Sequence, residues 1–229
     1  MKAKLAKLAL GAVPCAILLL LVTRCAFLGG TGKTIDLAKG VSLKMVRLPN
    51  GLYFGKYEVT QAQWVAVMGS NPSDFKGADN PVEWVTWDDC QKFLKKLNEL
   101  PAVKVSGLVF RLPTDAEWEY ACRAEATTGK YCKLADGTEI STKSLGKVAW
   151  FDDNSSGTTH PVGQKEPNAF GLYDMHGNVW EWTQTADDRD HVYCGGSWNR
   201  SARLCESSCR DSGRYRNCNL GFRLCADKR

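Results

Sequence analysis

Three segments of the chain combine a threonine cap with apolar residues at helical spacing. Each threonine is followed three residues later by a Gln, Asp or Glu, the capping-box pattern that predicts a helix start. The three pairs are Thr60 with Gln63, Thr86 with Asp89, and Thr114 with Glu117. Gly69 ends the first predicted helix and Pro101 ends the second. We therefore expect three short helices, each with one apolar face.

Elsewhere the apolar positions form only short runs. Residues 51–59, residues 108–112 and the last third of the chain have the pattern of short strands and turns. Residues 124–168 show no period and are rich in Gly, Ser, Thr and Asp, which is typical of long loops. The whole pattern predicts one α+β domain with few helices, short strands and much irregular structure, and we place it at residues 41–229.

The first 25 residues follow a different pattern. Three lysines within the first seven residues precede an unbroken apolar run over residues 8–22, and Cys25 follows at once. A run of about 15 residues suits an export signal better than a membrane span of about 20. Residues 26–40 are then expected to be a tether between the membrane and the domain.

Two interpretations of Cys25 stay open. A lipoprotein signal has a small residue before the modified cysteine, and here that residue is Arg24. We prefer lipidation of Cys25 over an uncleaved signal anchor, and both place the protein outside the cytoplasm, in the cell envelope or at the cell surface, held to the membrane by its N-terminus. Fatty-acid labelling separates them, because only lipidation of Cys25 gives a label that Cys25→Ser removes.

Composition and charge narrow the function classes. All eight Trp lie beyond residue 50, so a sizeable core is available in the predicted domain. The net charge of +5 is mild and no basic stripe is interleaved with aromatic residues, so we expect no nucleic-acid partner. The Ser, His and Asp residues form no nucleophile motif, and no glycine-rich phosphate loop is present.

The cysteines indicate an oxidising compartment. Eight of the ten Cys lie beyond Cys25, an even number that favours disulfides in an exported protein. No CxxC pair occurs, and the three histidines are far apart in the sequence, so a zinc site is not expected.

Six short segments, taken together and in order, resemble the formylglycine-generating enzyme (sulfatase-modifying factor) family. They are YEVTQAQW, NPVEWVTWDDC, FRLPTDAEWEYACR, PNAFGLYDMHGNVWEW, GGSW and LGFRL, which together cover residues from about 45 to 225. The resemblance implies a C-type-lectin-like fold of the formylglycine-generating-enzyme type, a compact α+β domain with little regular structure. This agrees with the elements that the pattern predicts.

The resemblance also implies which chemistry has been lost. Family enzymes oxidise a sulfatase cysteine with copper held by two cysteines shortly after GGS, and the matching positions here are Arg200 and Cys205. A guanidinium has no lone pair to offer a metal, so we expect no copper and no oxidase activity. An active modifying enzyme of this family is the alternative hypothesis.

The family resemblance implies a calcium site near NVWEW. The matching positions are Asp174 and Glu181 through their carboxylates, and Gly177 and Val179 through their backbone carbonyls. Hard oxygen ligands of this kind suit Ca²⁺. The alternative is that Asp174 starts a turn and Glu181 pairs with an arginine.

Two disulfides follow from the same resemblance. Cys90 and Cys122 lie on the inner faces of predicted helices, and the equivalent family positions pair with cysteines near the C-terminus. Cys225, one residue from the family position, is the expected partner of Cys90, and Cys209 of Cys122.

One branch of this fold serves diversity-generating retroelements, which copy a template into the 3′ end of a gene with errors at adenines. Codons of the AAC or AAT type then yield Asn, Ser, Asp, Gly, Arg, His, Tyr, Cys, Leu or Pro. The segment at residues 195–224, here called the C-terminal window, resembles such a variable region. The expected variable, ligand-binding positions are Asn199, Arg200, Ser201, Arg203, Leu204, Cys209, Asp211, Ser212, Gly213, Tyr215, Asn217, Cys218 and Asn219.

This composition predicts a binding surface. Ser, Asn and Gly make adaptable hydrogen bonds, and Arg and Tyr are frequent at binding hot spots. We expect a surface-displayed protein whose C-terminal window binds a protein or glycan on another cell. The remaining alternatives are a structural envelope lipoprotein without a ligand and a solvated loop without a function.

Overall fold

The computed structural model describes residues 30–127 and 129–229. Its largest sheet has five strands. β1 (Gly30–Ala38), β2 (Val41–Arg47) and β3 (Tyr53–Gly55) form an antiparallel meander, and β11 (Cys225–Lys228) lies between β3 and β4 (Leu108–Arg111). The C-terminal strand therefore closes the sheet that the N-terminal strands begin.

The tether predicted for residues 26–40 was wrong over most of its length. β1 pairs with β2 from Gly30 opposite Arg47 to Ala38 opposite Val41. Ile35 is buried between exposed neighbours, which is the period-two pattern of a half-buried strand. The signal segment at residues 1–25, including Cys25, lies outside the described residues.

All three predicted capping boxes form. They start α1 (Gln61–Met68), α2 (Trp87–Glu99) and α4 (Asp115–Arg123), with each threonine accepting from the backbone N–H three residues later. Gly69 ends α1 in the left-handed conformation, as predicted. Pro101 does more than end α2, because it begins a further short helix, α3 (Pro101–Ser106), where its missing N–H has no cost.

A second sheet carries most of the C-terminal third. β7 (Trp180–Asp187), β8 (Asp190–Cys194) and β9 (Arg210–Gly213) are antiparallel neighbours, and β10 (Leu220–Gly221) lies parallel to β7 at the opposite edge. The strand order is β10-β7-β8-β9.

The remaining regular elements are short. A parallel pair joins β5 (Ala149–Trp150) to β6 (His176–Gly177), and two 3₁₀ helices cover Thr142–Lys147 and Ala202–Cys205. Within the described part of the chain no helix has the length and hydropathy to cross a membrane. The α+β fold with few helices, short strands and long loops is confirmed.

The main core packs α1 and α2 against the large sheet. The Trp64 ring stacks on Phe93 with centroids 5.3 Å apart, and Phe222 meets both rings edge to face. The inner face of α2 is buried at Cys90, Phe93, Leu94 and Leu97, as its sequence predicts. Burial of several large rings at one point supplies much of the hydrophobic stabilisation of this half of the domain.

The predicted disulfides are not formed. All eight cysteines of the described residues are free thiols. Adjacent residues of a strand point to opposite faces, so Ala226 packs in the cluster that contains Cys90, whereas Cys225 packs on the other side with Cys122. Cys209 packs against the Cys90 cluster, away from Cys122. The one-residue offset from the family position thus removes the first pairing.

A buried ion pair joins the two sheets. Arg223 donates from Nε and Nη2 to both carboxylate oxygens of Glu181, each at 2.7 Å, and both side chains are fully buried. The remaining donors of Arg223 reach the backbone oxygens of Gly55 at 3.1 Å and Tyr173 at 2.9 Å. Trp118 Nε1 donates to Glu181 at 2.6 Å. Every charged atom of the pair is therefore hydrogen-bonded.

Loss of Arg223 should be strongly destabilising. We expect Arg223→Met to lower the free energy of unfolding by about 3–5 kcal/mol, because it leaves the buried Glu181 carboxylate without its cation. Arg203→Met removes the same group from an exposed position and should stay within about 0.5 kcal/mol of wild type. Chemical denaturation of both variants measures this. Equal stability of the two variants would contradict a stabilising role for the pair.

Candidate functional site

The C-terminal window is held at both ends and crosses one sheet between them. It leaves the sheet after β8, returns as the edge strand β9, and ends in β10 at the opposite edge. Residues 214–219 must therefore pass over β8 and β7 to reach β10. A loop that crosses a sheet face in this way encloses a cleft beneath itself.

This cleft has a volume of about 240 Å³. Trp180 of β7 and Tyr193 of β8 form its floor, and the crossing loop contributes Arg214, Tyr215 and Arg216. Arg200 lines it from the start of the C-terminal window. We call this concavity the arginine cleft.

The structure brings together only part of the predicted variable set. Six of the thirteen positions line the arginine cleft: Arg200, Ser212, Gly213, Tyr215, Asn217 and Asn219. Ser201, Arg203 and Leu204 are exposed around the second 3₁₀ helix, outside the cleft, and Asp211 is exposed on β9. Cys209 and Cys218 are partly buried and do not line the cleft.

Asn219 is a predicted ligand-binding position that does not lie on the exposed surface. It is buried, and its Nδ2 donates to Ser197 Oγ at 3.1 Å and to Asn199 Oδ1 at 2.7 Å. Its backbone oxygen accepts from Trp180 N at 2.8 Å. Asn199 and Asn219 therefore fasten the two ends of the C-terminal window to each other, which residue type alone does not reveal.

Trp84 is a surface residue beside the C-terminal window that the sequence pattern does not distinguish from a core tryptophan. Its side chain is 36% exposed, its φ is 64°, and its N–H donates to Asn217 O at 3.0 Å. A bulky residue in the left-handed region is uncommon and marks a constrained position. The hydrogen bond thus links a strained backbone to the crossing loop.

Glu83 fixes the backbone just before Trp84. Its Oε1 accepts from Phe75 N at 2.9 Å and its N–H donates to Ser73 Oγ at 3.1 Å. Oε2 is buried and has no hydrogen-bond partner among the described residues. Burial raises the pKa of Glu83 to about 7, because the charged carboxylate loses its hydration.

Arg200 and Cys205, which occupy the positions of the family's copper ligands, cannot act as a pair of thiolates. Arg200 lines the arginine cleft, while Cys205 is fully buried and burial raises the pKa of its thiol to about 12. A Cβ added at Gly196 would lie 2.5 Å from Cys205 Sγ, so the backbone closes over the sulfur. Metal binding and nucleophilic attack require an accessible thiolate. Residues 200 and 205 therefore offer no accessible pair of thiolates.

The predicted calcium positions differ in what they offer. Glu181 has both oxygens bonded to Arg223, as in the alternative hypothesis. Asp174 lies at φ 54°, accepts from Gly163 N through Oδ2 at 2.7 Å, and has a buried Oδ1 without a partner in the described chain. Burial raises the pKa of Asp174 to about 6. The arginine makes Glu181 a poor ligand, and calcium at Asp174, Gly177, Val179 and Glu181 stays a prediction.

No other arrangement of ligands resembles a metal centre. Among residues 30–127 and 129–229, no cluster of three or more His, Cys, Asp or Glu side chains could hold a metal ion. The buried His176 is a structural group, since one ring nitrogen lies 2.7 Å from Cys205 O and the other 3.1 Å from Cys132 N. Burial lowers its pKa to about 4.

The fold and the C-terminal window define a C-type-lectin-like α+β protein. The family model for the sulfatase-modifying factor enzyme 1-like domain matches residues 23–228, and the chain belongs to this family. It is 34% identical over 232 residues to the Chaperone protein LppX of Paenibacillus barcinonensis, covering 79% of this chain and 80% of that protein.

Two further relatives match this chain over different shares of their own length. The chain is 29% identical over 198 residues to the formylglycine-generating enzyme of Mus musculus, covering 74% of this chain but only 50% of the enzyme. The structure of Treponema denticola variable protein 1 superposes with a TM-score of 0.72 at 28% identity, covering 85% of this chain and 98% of that one. The similarity to the variable protein thus spans nearly that whole molecule.

Glu83 should make stability depend on pH. Its pKa is about 7 in the folded chain against an ordinary 4.5, so the unfolded chain loses this proton first. Its contribution is complete below pH 4.5 and is lost as the pH rises to about 7. We expect Glu83→Gln to gain up to about 3 kcal/mol relative to wild type between pH 5 and pH 8.

Denaturant titration at several pH values measures this gain. Glu99→Gln is the matched control, because Glu99 is exposed and should leave the pH profile of wild type unchanged. Parallel profiles for Glu83→Gln and wild type would show that the buried carboxyl does not titrate between these pH values.

Proposed function

We propose that the protein binds an external ligand through its C-terminal window and does not oxidise sulfatase cysteines. The observation that carries this proposal is the presence of two kinds of residue, exposed and buried, within the C-terminal window. Exposed side chains such as Arg203, Tyr215 and Asn217 alternate with fixed ones such as Asn219 and Phe222. A functionless loop does not need such anchoring at both ends.

The comparisons support a binding role in two ways. Similarity to the variable protein of Treponema denticola extends over 98% of that chain, including its fold. Similarity to a protein named as a chaperone points to the same class, because a chaperone binds another molecule without transforming it. The family's enzymes differ from this chain at Arg200, where a copper ligand is required.

Diversification by a retroelement is the finer part of the proposal. It is supported by residue types in the C-terminal window that adenine-directed errors can produce, with Trp198 and Glu206 as fixed residues between them. The direct test is the DNA beside the gene. A near-copy of the last part of the gene that differs only opposite adenines, together with a reverse-transcriptase gene, is expected.

Display outside the cell is the third part. The predicted export segment before the domain supports a cell-envelope protein anchored by its N-terminus.

Binding and stability should respond to different residues. We expect the triple variant Tyr215→Ala, Arg216→Ala, Asn217→Ala to change the binding profile on combined glycan and peptide arrays. Each substitution should alter stability by no more than about 0.5 kcal/mol, because all three side chains are exposed.

Trp182→Ala is the contrasting variant. Trp182 is fully buried, so we expect a loss of about 3–5 kcal/mol in thermal or chemical unfolding. A triple variant as unstable as Trp182→Ala would mean that the crossing loop belongs to the core, and the binding proposal would fail.

A further inference from the structure

The arginine cleft has the size of a site for one compact chemical group. Its volume is about 240 Å³. Pockets for drug-sized molecules are larger, about 300–1,000 Å³. β9 and β10 bound the cleft from opposite edges of the sheet. Such a space suits a single ring better than an extended peptide.

Two of the three arginines that line the cleft form no ion pair with a described residue. Arg214 Nε is paired with Asp190 Oδ1 at 2.8 Å. Arg200 and Arg216 form no ion pair with any described residue, and no carboxylate lines the cleft. By contrast, Arg210 of the same window is bound by two carboxylates. Two unpaired guanidinium groups at one concavity favour a ligand with a negative charge.

The other residues that line the arginine cleft suit the apolar faces and the hydroxyl groups of a sugar ring. Trp180, Tyr193 and Tyr215 provide aromatic surface, and Ser212 and Asn217 provide a hydroxyl and an amide. Burial, and next the charge of Asp211 and a hydrogen bond to it, raise the pKa of Tyr193 to about 12, so the phenol keeps its proton and donates a hydrogen bond to Asp211, which leaves the ring of Tyr193 as its contribution to the cleft. A sugar ring has apolar faces and a rim of hydroxyls, which match aromatic rings and short polar groups.

We propose that the arginine cleft binds an acidic sugar residue, with the carboxylate or sulfate of the sugar held by Arg200 and Arg216. This inference rests on the proposed binding function and names the chemistry of the ligand. Both arginines are at or beside variable positions of the C-terminal window. The acidic specificity is therefore a property of this chain's own window, and another set of residues there would select another ligand.

The test uses the purified protein and four soluble probes. These are an oligosaccharide of uronic acids, a sulfated oligosaccharide, a neutral oligosaccharide of the same length, and a peptide of alternating Glu and Gly. We expect calorimetry to detect binding of the uronic or the sulfated probe, weakened by added salt, and at least about 10-fold weaker binding of the neutral one. The stronger of the two acidic probes identifies the anionic group.

Matched variants locate the binding. Arg200→Gln and Arg216→Gln should each weaken the binding of the acidic sugar by about 10-fold or more, because each removes a charge-assisted hydrogen bond. Arg203→Gln removes an exposed charge from the same window outside the cleft and should change the dissociation constant less than about two-fold. Thermal melting of all three variants should match wild type.

Results that contradict this inference differ from results that contradict the proposed function. Equal binding of acidic and neutral sugars, no binding of either acidic sugar, or equal losses in Arg203→Gln and Arg216→Gln would each overturn the inference. Binding of the acidic peptide alone would show that the ligand is not a sugar, and it would leave the proposed binding function intact. Failure of the proposed function itself has a different signature, which is unfolding when Tyr215, Arg216 and Asn217 are replaced.

Discussion

The ion pair between Glu181 and Arg223 is the interaction on which the rest of this structure depends. It joins β7 of the smaller sheet to the chain just before β11 of the larger sheet, and it reaches Gly55, Trp118 and Tyr173 through further hydrogen bonds. Every nitrogen of the guanidinium and both oxygens of the carboxylate have at least one hydrogen-bond partner, which offsets the cost of burying the two charges. The long loops of this domain can be irregular because this one junction fixes the sheets that they connect.

The same junction explains how a binding surface can be built from unspecialised residues. The C-terminal window starts directly after β8 and ends directly before β11, so both of its ends adjoin strands, and Arg223 lies within its last residues. Asn199 and Asn219 then tie the window to itself. Side chains between these anchors, including Arg216 and Tyr215, contact solvent and carry little of the folding energy.

The position that the family resemblance assigns to a copper ligand lies at the arginine cleft. Arg200 stands where the family's oxidases hold copper, and here it lines the arginine cleft. Cys205, the remaining cysteine of that pair, is enclosed beneath Gly196 with its pKa raised to about 12. Arg200 therefore places a positive charge where an oxidase of this fold would need a metal ligand, and the fold alone does not define the function.

The sequence by itself determined the helices at Thr60, Thr86 and Thr114, the α+β class and the family, because capping boxes and apolar periodicity are local and the motifs are contiguous. Only the tertiary structure decided what depends on distant contacts. It made residues 30–38 a strand by pairing them with β2, and it turned Cys225 away from Cys90. It also buried Asn219, one of the positions that the sequence predicts to be variable, since burial of a polar side chain depends on hydrogen-bond partners far away in the sequence.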